Sequence, residues 1–173
     1  MNTMDAIIHE LETEAKTTAR VLERVPEERL SWRPHEKSMS LGQLALHIAD
    51  TPELVVKMIT NDTFSFDPAT FEQIHEPKTR AEILETHERA QAAAKQYLSG
   101  LTAEQAAKNV QVSAGATPVL EQPRATIIRV IMLNHTYHHR GQLSVYLRML
   151  GVPVPSIYGP SADENPFIKT TSA

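Results

Sequence analysis

Three long segments of this chain repeat apolar residues at intervals of three and four positions, and a fourth is rich in alanine. Such spacing is typical of a helix that buries one face. We expect helices over residues 3–24, 41–59, 79–99 and 124–150, with near-parallel packing around one core. The sequence therefore predicts an all-α four-helix bundle in a single domain over residues 1–168, followed by a disordered tail, 169–173.

The segments between these helices have weaker patterns. Ser40, followed three residues later by Gln43, forms a capping box that starts the second helix, and Pro52 should kink it. Residues 61–78 contain prolines and phenylalanines without a period, which favours a loop packed over the bundle. Residues 102–108 suit a short helix, and valines around Gly115 are compatible with a short hairpin over 109–122. The proline-rich segment after residue 151 is expected to wrap over the surface.

Composition and charge narrow the classes of function. Hydrophobic residues make up 41% of the 173, yet no apolar run reaches the roughly 18 residues that a membrane-spanning helix needs. The net charge is -4 and the basic residues are scattered, so nucleic-acid binding is not expected. The first five residues carry no basic side chain and lead into no apolar stretch, which favours the cytoplasm. The absence of cysteine excludes thiolate ligands and disulfides.

Two histidines on the last predicted helix indicate a metal site. His135 and His139 are one turn apart, and a helical projection places both within a stripe of core-facing residues. The other members of that stripe are Ile128, Ile131, Met132, Gln142, Tyr146, Met149 and Leu150. Burying a polar group without a partner costs about 2–7 kcal/mol, and one metal ion would satisfy both imidazoles. His47, in the apolar stripe of the second helix, supplies a third ligand from a facing helix.

The spacing alone leaves an alternative open, in which His135 and His139 are core histidines bonded to Gln142, Tyr146 or the backbone. If a metal is bound, Gln142 and Tyr146 are candidates to line its open position. His138 is expected at the rim, either as a proton shuttle or as a partly exposed surface histidine. Asp50, one turn after His47, is either a carboxylate that orients a ligand or a solvated acid. The remaining histidines, at positions 9, 35, 75 and 87, are interpreted as surface residues.

The projection of the last helix also makes a prediction about its outer side. Arg140 should face water there, together with Arg129, Ser144 and Arg148. Leu133, Tyr137 and Leu147 fall on the same side, and exposed apolar residues at helical spacing can mark a partner surface. A homodimer is one explanation, and coverage by the loop or the tail is the other.

Three stretches of the sequence resemble the DinB/YfiT-like family. They are Ser-Trp-Arg-Pro at residues 31–34, Ser-Leu-Gly-Gln-Leu-Ala-Leu-His-Ile-Ala at 40–49, and Asn-His-Thr-Tyr-His-His-Arg-Gly-Gln-Leu at 134–143. The resemblance implies a four-helix bundle, often a homodimer, with a metal site of three histidines that usually holds zinc or nickel. The family's ligands fall on His47, His135 and His139.

The resemblance also implies a function. Characterised relatives include S-transferases and isomerases that use bacillithiol, mycothiol or glutathione. We therefore expect a metal-dependent enzyme that activates a low-molecular-weight thiol for S-transfer to a small-molecule substrate. Two alternatives remain open: a metal-dependent hydrolase that uses metal-bound water, and a non-catalytic metal-binding protein of the stress response.

Overall fold

The computed structural model describes residues 3–71 and 75–168. Its helices are α1 (Thr3–Leu22), α2 (Leu41–Ile59), α3 (Pro68–Phe71), α4 (Arg80–Ser99), α5 (Ala103–Ala107), α6 (Arg124–Ile127) and α7 (His135–Met149). Its strands are β1 (Thr63–Phe66), β2 (Asn109–Ala114) and β3 (Thr117–Pro123). A 3-10 turn spans Glu27–Arg29, and a π-helical segment, Ile128–Asn134, joins α6 to α7.

Four long helices build the core. Helix α1 packs against α4 and α7, and α2 packs against the same two helices from the other side. Their apolar faces meet in two buried clusters, one around Leu44 and Ile48 of α2 and the other around Val55 and Ile59 further along the same helix. The predicted predominance of helix is confirmed. Each helix in the described part of the chain is too short or too polar to span a lipid bilayer.

Local signals set the ends of these helices. The Ser40 hydroxyl accepts the Gln43 amide at 3.1 Å, and the Gln43 side chain accepts the Ser40 amide at 3.0 Å, so the predicted capping box is confirmed. At the other end of the chain, Gly151 has a φ of 72°, which lets the Val152 amide turn back to the Leu147 carbonyl at 3.0 Å. Glycine tolerates this left-handed conformation, and it ends α7.

A small three-stranded sheet corrects the all-α prediction. Strand β2 pairs antiparallel with β3 around Gly115, which confirms the hairpin, and β1 pairs parallel with β2 on its other side. The loop prediction for residues 61–78 is wrong over Thr63–Phe66, which forms β1, and over Pro68–Phe71, which forms α3. Phe64 and Phe66 of this strand are half-buried and pack against the core. Local sequence patterns do not reveal β1, because the strand is held by a partner some 50 residues away along the chain.

The last helix is less regular than predicted. The π-helical segment before His135 changes the rotation per residue, so a projection at a constant angle misplaces the residues on either side of it. The buried side chains of α7 are Thr136, Arg140, Leu143 and Leu147. His135 and His139 are half-buried next to this face. The prediction that they lie in the middle of the buried stripe is therefore wrong.

Neighbouring elements overturn the predicted outer face, because α1 and the C-terminal segment cover that side of α7. Leu133 and Leu147 are buried, at 1% and 0% exposure, and so is Arg140, at 1%. The half-buried Tyr137 donates its hydroxyl to Glu10 at 2.9 Å. These residues therefore form no exposed partner surface, and the homodimer remains a prediction from family resemblance.

Residues 152–168 wrap over α1 and α7, as predicted. Val154 and Ser156 are buried there, and Glu164 forms an ion pair with Arg20 of α1 at 2.5 Å. The predicted disordered tail, 169–173, lies outside the described residues, as do residues 72–74 of the predicted loop.

Candidate metal centre

Three histidines from two helices meet at one side of the helical core. His47 comes from the second turn of α2, and His135 and His139 come from the first two turns of α7. Their ring centroids are 4.3 to 5.1 Å apart, and Nε2 of His47 lies 2.9 Å from Nε2 of His135. One nitrogen from each ring lies within 4.8 Å of the others. The structure thus brings together the three residues that the sequence singled out.

This arrangement suits a metal ion. Nitrogens that bind one ion tetrahedrally at about 2.1 Å are about 3.4 Å apart. The closest observed pair, at 2.9 Å, and the upper limit of 4.8 Å lie on either side of that distance, so small ring shifts would bring all three nitrogens to one ion. Half-burial of all three side chains limits competition from water. The three histidines are close enough to hold one metal ion, and imidazole nitrogen is a donor that several divalent transition metals accept.

The electrostatics favour neutral rings. Burial, together with the smaller effects of the neighbouring His139 and His135, lowers the pKa of His47 to about 4. Burial is also the main cause that lowers the pKa of His135 and of His139. The rings are therefore uncharged at neutral pH, which is the form that binds a metal.

A hydrogen bond orients one of the rings. Nδ1 of His139 lies 2.7 Å from Oε1 of Gln142, one turn further along α7. Because a carbonyl oxygen accepts, Nδ1 carries the proton and Nε2 is left with a free lone pair. Gln142 thus positions a ring rather than lining the space in front of it. His138, predicted at the rim, is exposed, with its ring centroid 5.0 Å from that of His139.

Two further candidates have other partners. The Asp50 carboxylate is on the cavity wall and pairs with Arg89 of α4 at 3.9 Å. The Tyr146 hydroxyl donates to the Met39 carbonyl at 3.4 Å, and its ring meets the Trp32 ring edge-on at 5.6 Å. Tyr146 is thus bonded to its neighbours, as the simpler interpretation had it.

A cavity of about 510 Å³ opens next to the three histidines. Apart from them, its walls are mainly apolar, formed by Met39, Leu46, Leu54, Val55, Met58 and Ile131. His75, interpreted from sequence as an isolated surface residue, also lines it and pairs with Glu82 at 2.8 Å. Leu54, Val55 and Met58 follow His47 along α2 at helical spacing. The spacing of these residues after His47 shows that they share its face, but not that the face borders an open space.

Comparisons with known proteins agree with this picture. The family model described as the DinB family matches residues 1–168. The uncharacterized protein YrdA of Bacillus subtilis (strain 168) is 26% identical over 162 residues, which is 94% of this chain and 92% of that protein.

Solved structures share the fold. A DinB-like protein from Bacillus cereus ATCC 10987 superposes with a TM-score of 0.70 at 21% identity, over 89% of this chain and 97% of its own. A mycothiol-dependent maleylpyruvate isomerase superposes with a TM-score of 0.50 at 12% identity, over 89% of this chain and 63% of its own. From the family match over nearly its whole length, together with the three histidines that meet at one site, this chain belongs to the DinB family.

Proposed function

We propose that this protein is a metal-dependent enzyme that activates a low-molecular-weight thiol for S-transfer to a small-molecule substrate. One observation carries the proposal: three imidazoles converge at the wall of an open cavity rather than in a closed core. Sites that only stabilise a fold are usually closed on all sides, whereas catalytic sites keep access for a substrate.

The protein's own residues have separate tasks in this proposal. His47, His135 and His139 would hold the ion, and Gln142 would keep Nε2 of His139 directed at it. Bound there, a divalent ion would lower the pKa of a thiol S–H, release its proton to solvent and supply a thiolate for attack on an electrophile. The apolar walls of the cavity would receive the electrophile and exclude water from it.

Two considerations support this choice. Three neutral imidazoles form a donor set that zinc, nickel, copper and iron(II) accept, and the family resemblance leads us to infer zinc or nickel as the resident metal. The fold is also shared with a mycothiol-dependent enzyme, although identity at this level shows common architecture alone.

The test is a conjugation assay on untagged protein loaded with zinc or with nickel. Monochlorobimane serves as the electrophile, and glutathione, bacillithiol and mycothiol serve as thiols. We expect conjugation above the uncatalysed rate with at least one thiol, and its loss in His139→Ala. The matched control is His9→Ala, which removes an exposed histidine of α1 and should leave the rate unchanged.

Other outcomes would replace the proposal. Turnover of esters or lactams without added thiol would indicate a hydrolase. Loss of thermal stability on metal removal, with no turnover of either substrate class, would indicate a non-catalytic metal-binding protein.

A further inference from the structure

The cavity beside the histidines has a clear polarity along its length. His47, Thr51, Leu54, Val55 and Met58 follow one face of α2, so the wall runs about 16 Å from its histidine end at a rise of about 1.5 Å per residue. Ile131 borders the cavity from the other side, about one turn before His135. Along α2, the polar side chains from His47 to Thr51 therefore precede the aliphatic ones from Leu54 to Met58, and two further apolar lining residues, Met39 and Leu46, precede His47 in the chain.

The charged groups on the cavity wall already have partners. The Asp50 carboxylate pairs with Arg89, and the His75 ring pairs with Glu82. Among the residues that the structure describes, no lysine or arginine side chain lines the space. A carboxylate or phosphate carried deep into it would lose its hydration without gaining a cation, which is costly.

The size of the cavity matches an organic molecule rather than water alone. Its volume of about 510 Å³ is within the range of roughly 300–1,000 Å³ that is usual for small-molecule sites. Leu46, Leu54 and Ile131 are only half-buried in the protein, so a ligand would remove apolar surface from water on both partners.

We propose that the cavity binds a neutral substrate with an alkyl or aryl body, whose polar reacting end faces the three histidines. This inference rests on the proposed function, because it names the substrate class of the same site. It assigns the apolar body to the end formed by Met58 and Ile131.

The test has a metal-independent arm. Full-length protein as purified, with its metal content known, is titrated with straight-chain alcohols from butanol to octanol and followed by the methyl NMR signals of Met39, Met58 and Ile131. Affinity should rise about fourfold per added methylene, because each buried methylene contributes about 0.8 kcal/mol. Affinity that is independent of chain length would overturn the inference.

The second arm uses zinc-loaded protein and hydroxamates, which carry a metal-binding head. From acetohydroxamate to octanohydroxamate, calorimetry should show the same dependence on chain length. Suberic monohydroxamate, which ends in a carboxylate, should bind at least about tenfold more weakly than octanohydroxamate, because its charge would be buried without a cation. Equal affinity of the two ligands would contradict a neutral substrate.

Variants of two lining residues test whether the alcohols bind in the cavity. Leu54→Asn should weaken octanol binding by roughly four- to tenfold, because the exposed half of the leucine side chain no longer offers apolar surface to the ligand. Leu46→Gln provides a second lining variant should the first not fold. The matched control is Val145→Asn, an exposed position on α7 outside the cavity, which should bind as wild type does.

The two arms separate the inference from the proposed function. If alcohols bind with the expected chain-length dependence but zinc adds nothing to hydroxamate affinity, the metal site fails and the apolar site stands. If zinc tightens binding of every hydroxamate equally and chain length has no effect, the apolar site fails and the metal site stands.

Discussion

Oε1 of Gln142 accepts a hydrogen bond from Nδ1 of His139 over 2.7 Å, and this fixes which nitrogen of the ring is free. The two residues are three positions apart on α7, so one turn of helix carries both the proposed ligand and the group that orients it. Two further imidazole rings face the ring of His139: that of His135, one turn earlier on α7, and that of His47, on α2.

Removing this hydrogen bond should weaken metal binding without unfolding the protein. We expect Gln142→Ala to lower zinc affinity by about 10- to 100-fold, as for other groups that orient a ligating histidine. Competition with a zinc chelator measures the affinity. Gln142 is exposed, so urea unfolding of the metal-free variant should match wild type. Val145→Ala is the control, and unchanged zinc affinity in Gln142→Ala would show that the hydrogen bond has no such role.

Arg140 is a buried charge that ties α7 to α1 and to the C-terminal segment. Its guanidinium donates to the Glu14 carboxylate at 2.6 Å, to the Thr18 hydroxyl at 3.0 Å and to the Tyr158 hydroxyl at 2.6 Å. Arg140→Met leaves Glu14 without its cation and should reduce the free energy of unfolding by about 3–5 kcal/mol. Urea denaturation measures this.

A second substitution tests the cause of that loss. Glu14→Gln in the Arg140→Met background removes the uncompensated charge and should restore part of the lost stability. If the double variant is as unstable as the sum of the two single variants, the ion pair does not explain the effect.

His87 should make the fold sensitive to acid. It is 4% exposed, and burial lowers its pKa below the ordinary 6.5, while its Nε2 donates to the Ala15 carbonyl at 3.1 Å. The unfolded chain therefore binds this proton at a higher pH than the folded chain. The contribution of neutral His87 is fully present above pH 6.5 and is lost as the pH falls towards the lower, folded-state pKa.

The comparison variant is His87→Gln, whose amide can still donate to Ala15 and does not titrate. Between about pH 7.5 and about pH 5.5, wild type should lose up to about 1.4 kcal/mol per pH unit more unfolding free energy than the variant. Urea unfolding at several pH values gives both slopes. Parallel slopes would mean that His87 is not the source.

Two glycines, one within α7 and one just after it, should respond oppositely to substitution by alanine. Gly151 has a φ of 72°, so Gly151→Ala should lower the free energy of unfolding by about 1–2 kcal/mol. Gly141 is exposed within α7, with nothing within 4 Å of an added Cβ, so Gly141→Ala should raise the free energy of unfolding by up to about 1 kcal/mol. Thermal unfolding measures both. A stabilised Gly151→Ala would contradict the assigned end of α7.

Features set by neighbours in the chain could be predicted from the sequence. The capping box of Ser40 and Gln43 depends on residues three apart, and the bounds predicted for the second helix, 41–59, agree with α2. The hairpin around Gly115 is likewise local. The three-histidine site could be predicted from the spacing of four between two histidines on one helix, the position of the third on a facing helix, and the family resemblance.

Features that depend on partners far away in the chain could not be predicted from the sequence. Arg140 looked like a solvated residue because its partners Glu14 and Tyr158 lie 126 and 18 positions away, and a projection of α7 alone does not show what covers its outer side. His87 looked like a surface histidine for the same reason, since its partner is the Ala15 carbonyl of α1. Strand β1 depends on parallel pairing with β2.

The most direct measurement is the metal content of untagged protein, wild type against His139→Ala, with His9→Ala as the matched control. Elemental analysis should find one equivalent of zinc or nickel per chain in wild type and in His9→Ala, and a large loss in His139→Ala. Equal metal content in all three proteins would contradict the three-histidine site.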